Sequence, residues 1–254
     1  MTFDTTAVTV FVLALARTSA WVVASPLFSA YGIAGVGRLA FAMAMAVAAT
    51  PIALAGPPPP EGIAAFVAVV AGNIALGLVL GWITGLALAI FQSAGSMIDL
   101  TSGFSVGTLL DPITGSASAV MSRLFGVAFV AIFFASDAYQ VVAGAYLRTF
   151  EASAPTQVPV LGADTTAMAA QSMSELLLAA LEIAAPLLGA LLLAEVALAL
   201  AARFVPQANI FLIGLPLKIG ITLALVGSTL LFFPVYAERV VDTISRMMLG
   251  VSSQ

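Results

Sequence analysis

The chain has 254 residues, 62% of them hydrophobic and 8% charged, with eight Lys or Arg against twelve Asp or Glu for a net charge of −4. That content lies far below the roughly 25% charged residues of soluble domains and predicts an integral membrane protein. The scattered basic residues form no cluster in sequence, which argues against nucleic acid and against a polybasic lipid-binding patch, and the absence of Cys and His removes disulfides, thiol and imidazole chemistry and the usual zinc sites.

Six apolar helical regions are predicted, roughly 6–30, 38–55, 62–98, 117–147, 174–203 and 209–234. The opening MTFDTTAV carries no positive region and no cleavage signal follows, so the first apolar segment is expected to be retained. Breaks fall at YGIAGVGR (31–38), GPPPP (56–60), 91–112 and 148–167, each rich in Gly, Pro, Ser or Thr. No ionisable group occurs from Leu39 to Pro60 or from Gly62 to Ile98, and about 20 apolar residues suffice to cross a bilayer. The third region, at about 1.5 Å per residue, reaches about 55 Å and overshoots a hydrocarbon core of about 30 Å. It must tilt, kink or run inside a protein assembly. Lys and Arg are shared between loops and helix interiors and set no orientation. Within that region Gly77, Gly81 and Gly85 fall on one helical stripe, the pattern of a close helix-packing face.

The segment FQSAGSMIDLTSGFSVGTLLDP (91–112) interrupts this apolar character with two aspartates, several hydroxyls and three glycines. Gln92, Ser96, Asp99 and Gly103 make one polar helical stripe. Gly103, Gly107 and the Asp111-Pro112 turn signal flank an apolar tract of Phe104, Val106, Leu109 and Leu110. Two readings stand: an extramembrane loop, or an apolar loop in a wet cavity that closes a pore by excluding water.

Charges inside apolar runs are Arg17, Asp137, Glu182, Glu195 and Lys218. At about 3 kcal/mol each at a helix centre, they must be paired or wet, either as a substrate or proton pathway or as structural ion pairs. Glu182 precedes Pro186 by one turn, beside an expected kink. After Pro234, Val240, Val241, Ile244, Met247 and Met248 oppose Glu238, Arg239, Asp242 and Arg246. This amphipathic tail (235–254) is expected to lie on the membrane or dock on a partner. With no His, and no Ser and Lys at catalytic spacing, no enzyme site and no cofactor are expected.

The stretch ARFVPQANIFLIGLPLKI (202–219) resembles the flagellar biosynthesis FliR family and its counterpart in virulence-associated type III secretion, through Arg203, Pro206, Gln207, Asn209, Phe211, Pro216 and Lys218. An N-terminal block with Arg17, Pro26 and Arg38, a central block with Gln92, Gly95, Gly103, Asp111 and Pro112, and Glu195 extend the resemblance over essentially the whole chain. Thr101-Ser102 departs from the larger polar residue usual before the Gly. The resemblance implies an all-α membrane protein of hairpins, a FliP-like half followed by a FliQ-like half, in one export-gate domain with N-terminal helices (1–112), C-terminal helices (113–234) and the tail. It implies assembly with FliP-like and FliQ-like subunits, FlhB-like and FlhA-like neighbours, and passage of unfolded substrates through the bacterial inner membrane at the flagellar basal body. Gly103 to Asp111 would then plug the channel, and the buried charges Glu195, Arg203 and Lys218 would pair within or between subunits. A reading of another class is a secondary transporter relaying protons or ions through Asp137, Glu182 and Glu195.

Overall fold

Long apolar runs with few interior breakers produce helix after helix. The computed structural model describes residues 5–29, 35–105, 119–159, 163–204 and 210–252. Its helices are α1 (Thr5–Ala24), α2 (Pro26–Ser29), α3 (Gly35–Leu54), α4 (Ile63–Ser102), α5 (Val120–Ala135), α6 (Ala138–Ala152), α7 (Ala163–Phe204), α8 (Ile210–Leu231) and α9 (Phe233–Ser252). No strand occurs among the described residues, and the class is all-α. Helices α1, α3, α4, α7 over Gln171–Phe204 and α8 over Ile213–Leu231 are long and apolar enough to cross a membrane. The broken pair α5 and α6 makes a sixth span if counted as one.

The helix boundaries differ from the sequence expectations where local chemistry overrides composition. Helix α4 runs 40 residues, past Ile98 to Ser102, because the polar stripe of Gln92, Ser96 and Asp99 keeps helical spacing. The predicted 117–147 region is two helices, broken beside Asp137, which takes a left-handed φ of 58°. Asp tolerates that conformation better than most side chains. Helix α7 begins at Ala163, inside an expected break, and stays helical through Pro186 for 42 residues. Pro234 stands in the first turn of α9, where a missing N–H is harmless.

The described chain forms two compact units. The first gathers Met1–Leu88, Asp137–Met173 and Arg239–Gln254. Its centre is Trp21, stacked on Tyr146 at 4.0 Å between ring centroids and edge-on to Phe28 at 5.3 Å. Both polar tips are satisfied: Trp21 Nε1 donates to Thr84 Oγ1 at 2.9 Å, and Tyr146 OH donates to Thr18 Oγ1 at 2.9 Å. Helices α1 and α4 approach to backbone contact along the glycine stripe. A methyl on Gly77 would strike the Arg17 carbonyl, one on Gly81 would lie 2.6 Å from the Trp21 carbonyl oxygen, and one on Gly85 would lie 2.6 Å from Pro26 Cδ.

The apolar face of α9 is covered in this unit. Val240, Val241, Ile244 and Met248 are buried, and the Met248 sulfur lies 3.8 Å from Thr84 Oγ1. The chain itself therefore occupies the face expected to meet lipid or a partner, and only the charged side looks outward.

The second unit comprises Ala89–Ser136 and Ser174–Glu238. Phe91 stacks on Phe129 at 4.4 Å, and Phe233 meets Phe91 at 5.0 Å and Phe125 at 4.8 Å. Aromatic rings here join the end of α4 to α5 and to the start of α9.

Candidate functional site

Helix α5 begins behind Ala119, which has no side-chain oxygen and makes no side-chain cap bond. Its first-turn N–H groups need another acceptor. Asp99 supplies it from α4: Oδ1 accepts the Met121 N–H at 3.0 Å and Oδ2 accepts the Ser122 N–H at 3.0 Å. A carboxylate here also meets the positive end of the helix dipole. Gly95, one turn before Asp99, permits the approach, since a Cβ there would collide with the Ser122 backbone. The Asp99 main-chain oxygen accepts from Ser105 N–H at 3.4 Å, Ser105 Oγ at 3.3 Å and Ser102 Oγ at 3.4 Å. Gly103, with φ of 88°, ends α4 in a conformation that side chains resist. One buried residue, Asp99, thus binds both the exit of α4 and the entrance of α5.

Gly103 and Phe104 are half-buried in this junction. Val106, Gly107, Leu109, Leu110, Asp111 and Pro112 lie outside the described residues, as do Pro206, Gln207 and Asn209. Phe211 and Pro216 belong to α8, Pro216 as an interior, exposed residue.

The charges divide sharply. Arg17 is fully enclosed in the first unit, where Nε donates to Asn73 Oδ1 at 2.9 Å and Nη1 donates to the Ser153 and Thr149 carbonyls at 2.9 and 3.4 Å. Its guanidinium stands 4.5 Å from the Phe150 ring centroid. The cation therefore closes the carbonyl end of α6, where the helix dipole is negative. Asn73 completes the arrangement by donating Nδ2 to the Val69 and Pro155 carbonyls, each at 2.8 Å.

The remaining charges expected to be buried are not enclosed by this chain. Asp137 is exposed at the break between α5 and α6, and Glu182 and Arg203 are exposed on α7. Lys218 on α8 pairs with Glu195 on α7, their side chains 18% and 60% exposed. The apolar neighbours of these residues in sequence belong to helix faces that the chain leaves open, so surrounding hydrophobicity does not translate into burial. Among the described residues no group of three or more acidic side chains could hold a metal ion.

Sequence reasoning placed Asp99 on a polar stripe without giving it a role and passed over Asn73. Both had a signal. Ala119 cannot cap α5, and Asn73 is the lone amide in the uncharged run before Gln92.

Residues 8–244 match the family model described as bacterial export proteins, family 1. The chain is 33% identical over 215 residues to the flagellar biosynthetic protein FliR of Bacillus subtilis, covering 84% of this chain and 82% of the relative. It is 29% identical over 180 residues to the Yop proteins translocation protein T of Yersinia pestis, covering 70% and 66%. It is 26% identical over 230 residues to the surface presentation of antigens protein SpaR of Salmonella typhimurium, covering 90% and 84%.

Proposed function

The chain belongs to the bacterial export proteins of family 1, and from that premise we propose that it is a membrane-embedded, non-enzymatic subunit of a type III protein export apparatus. The relatives named for flagellar biosynthesis and for translocation support this reading. In the finer form, it assembles with FliP-like and FliQ-like subunits beside FlhB-like and FlhA-like neighbours, in the bacterial inner membrane at the flagellar basal body. Unfolded substrates pass through the conduit so formed. Residues 103–112 act as its plug.

The observation that carries the assembly is the length of α4. Large apolar side chains are exposed at Ile63 (85%), Val67, Ile74, Leu78 and Trp82, and again only at Leu100 (72%), the turns between being buried or half-buried by the chain itself. The 40-residue helix reaches about 60 Å at about 1.5 Å per residue and overshoots a hydrocarbon core of about 30 Å even at a tilt of about 40°. A core that covers Ile63 to Trp82 does not reach Leu100, which suits a subunit surrounded by sister chains.

The test is purification of the tagged chain from cells that co-express FliP-like and FliQ-like proteins. A stable complex containing both is expected. A monodisperse chain with no affinity for them would remove the reading. Lys218→Met, which strands Glu195, is expected to weaken the co-purification. Deleting residues 104–108 is expected to raise ion leakage through the assembled complex, and unchanged leakage would remove the plug. No observation favours the solute transporter: Asp137 and Glu182 are exposed, and Glu195 is paired with Lys218.

A further inference from the structure

Helix α6 and the part of α9 from Arg239 on, both in the first compact unit, flank a groove of about 650 Å³. Gln140, Gly144 and Arg148 face it from one α6 stripe, and Asp242, Ser245 and Arg246 from one α9 stripe. We propose that this groove binds the phosphodiester headgroup of an anionic phospholipid.

Charge is the first argument. Two of the eight basic residues converge on one groove against a single carboxylate, in a chain whose net charge is −4. The sequence hides this site, because Arg148 and Arg246 lie far apart in the chain and form no basic cluster until the fold joins them. A local excess of one positive charge matches the single negative charge of a phosphodiester.

Unused donors are the second argument. Among the described residues Arg148 forms no ion pair, and Lys218 with Glu195 is the pair that does form. Arg246 reaches only its own helix, with Nε 3.4 Å from the Asp242 carbonyl and Nη2 3.4 Å from Thr243 Oγ1. Those bonds are long, and most of both guanidinium forks remains open to a planar, bidentate acceptor such as phosphate. Ser245 lines the floor with an enclosed hydroxyl that has no partner.

Shape and setting are the third. Gly144 has open space where a Cβ would stand, which leaves the groove clear. Val141 and Leu249 give it apolar flanks suited to the first methylenes below a glycerol. Helix α9 buries its apolar face and turns Glu238, Arg239, Asp242 and Arg246 outward, so the groove lies on a charged surface beside apolar spans. Basic pockets between membrane helices are where headgroups bind.

Native mass spectrometry of the full chain in neutral detergent tests the assignment, with phosphatidylglycerol and phosphatidylcholine of identical acyl chains as probes. Phosphatidylglycerol should be retained over phosphatidylcholine by about fivefold, given a local excess of one positive charge at about 1 kcal/mol near the headgroup. Arg148→Gln with Arg246→Gln should abolish that preference. Gly144→Phe, which fills open space and leaves every charge in place, should abolish it independently, and serves also if the double variant does not fold. Equal retention of the two lipids by the native chain, or an undiminished preference in a folded variant, would overturn the proposal. Inorganic phosphate bound by lipid-free chain as tightly as phosphatidylglycerol would overturn the lipid as its source.

Discussion

Gly77, Gly81 and Gly85 on α4 and Gly189, Gly220 and Gly227 on α7 and α8 share an apolar helical setting but differ in what faces them. The first three meet the backbone or Pro26 ring of the α1–α2 segment so closely that no methyl would fit. The second three have nothing within 4 Å of a Cβ position. In apolar surroundings no hydrophobic drive pulls helices together, so close backbone approach is what a glycine offers. Where no backbone approaches, glycine retains only its helix penalty of about 1 kcal/mol relative to Ala. The α4 stripe is thus a contact that the chain completes alone, whereas α7 and α8 carry the composition of a contact without the partner.

The largest expected effect breaks the completed contact. Gly81→Leu would place four carbons where even one lies 2.6 Å from the Trp21 carbonyl oxygen and from Ala24 Cβ. A loss of about 3 kcal/mol or more is expected from such overpacking, read as a collapse of the thermal midpoint in detergent, while Gly189→Leu in the same background should move it little. Equal midpoints would erase the distinction between the two glycine sets.

Arg17 sharpens the same contrast from the polar side. It serves Asn73, Thr149 and Ser153 wholly within its unit, whereas half-buried Lys218 pairs with an exposed Glu195. Arg17→Lys keeps the charge and loses the fork, so it should destabilise by about 2 kcal/mol through acceptors left unsatisfied. Lys218→Met should change the stability of the isolated chain by less than about 1 kcal/mol, because the Glu195 left without its partner is 60% exposed and solvated. A harmless Arg17→Lys would show that charge alone matters. Next in size is Asp99→Ala, which removes both acceptors of the α5 first turn and should cost about 1–2 kcal/mol, measured as earlier loss of helical signal on heating. Asp99→Asn, with one carbonyl oxygen left to accept, should lose about half as much.

These residues also mark how far the sequence could be read. Membrane class, all-α content, the six apolar segments and the overlong α4 follow from long uncharged runs, because each is local and depends on composition. The Gly77, Gly81 and Gly85 stripe was legible as a packing face, but its partner was not, since spacing on one helix does not name the other. Charge burial was the least legible. Arg17, Glu182 and Glu195 stand in equally apolar surroundings, yet only Arg17 is enclosed, and what separates them is which helix face the tertiary fold turns inward. The tail misled in the opposite direction: an amphipathic pattern predicts a covered face without saying who covers it, and the chain covers α9 itself. Asp99 escaped because its task is set by a deficiency twenty residues on: an uncapped start at Ala119 signals that an acceptor is needed without naming which residue supplies it.

The smallest predicted effect asks most directly whether α7 waits for a partner. In the isolated chain Gly189→Ala replaces the weaker helix former by the stronger at a position facing open space, so stability should rise by about 0.5–1 kcal/mol. If a sister helix approaches that face at backbone distance, the same methyl must lower the yield of the assembled complex, and the sign of the effect reverses on assembly. Thermal midpoints of the isolated chain and complex recovery by affinity purification give the two readings from one variant. A gain in both would show that lipid, rather than protein, covers Gly189, and would confine the sister-chain contacts to other elements, beginning with the overlong helix α4.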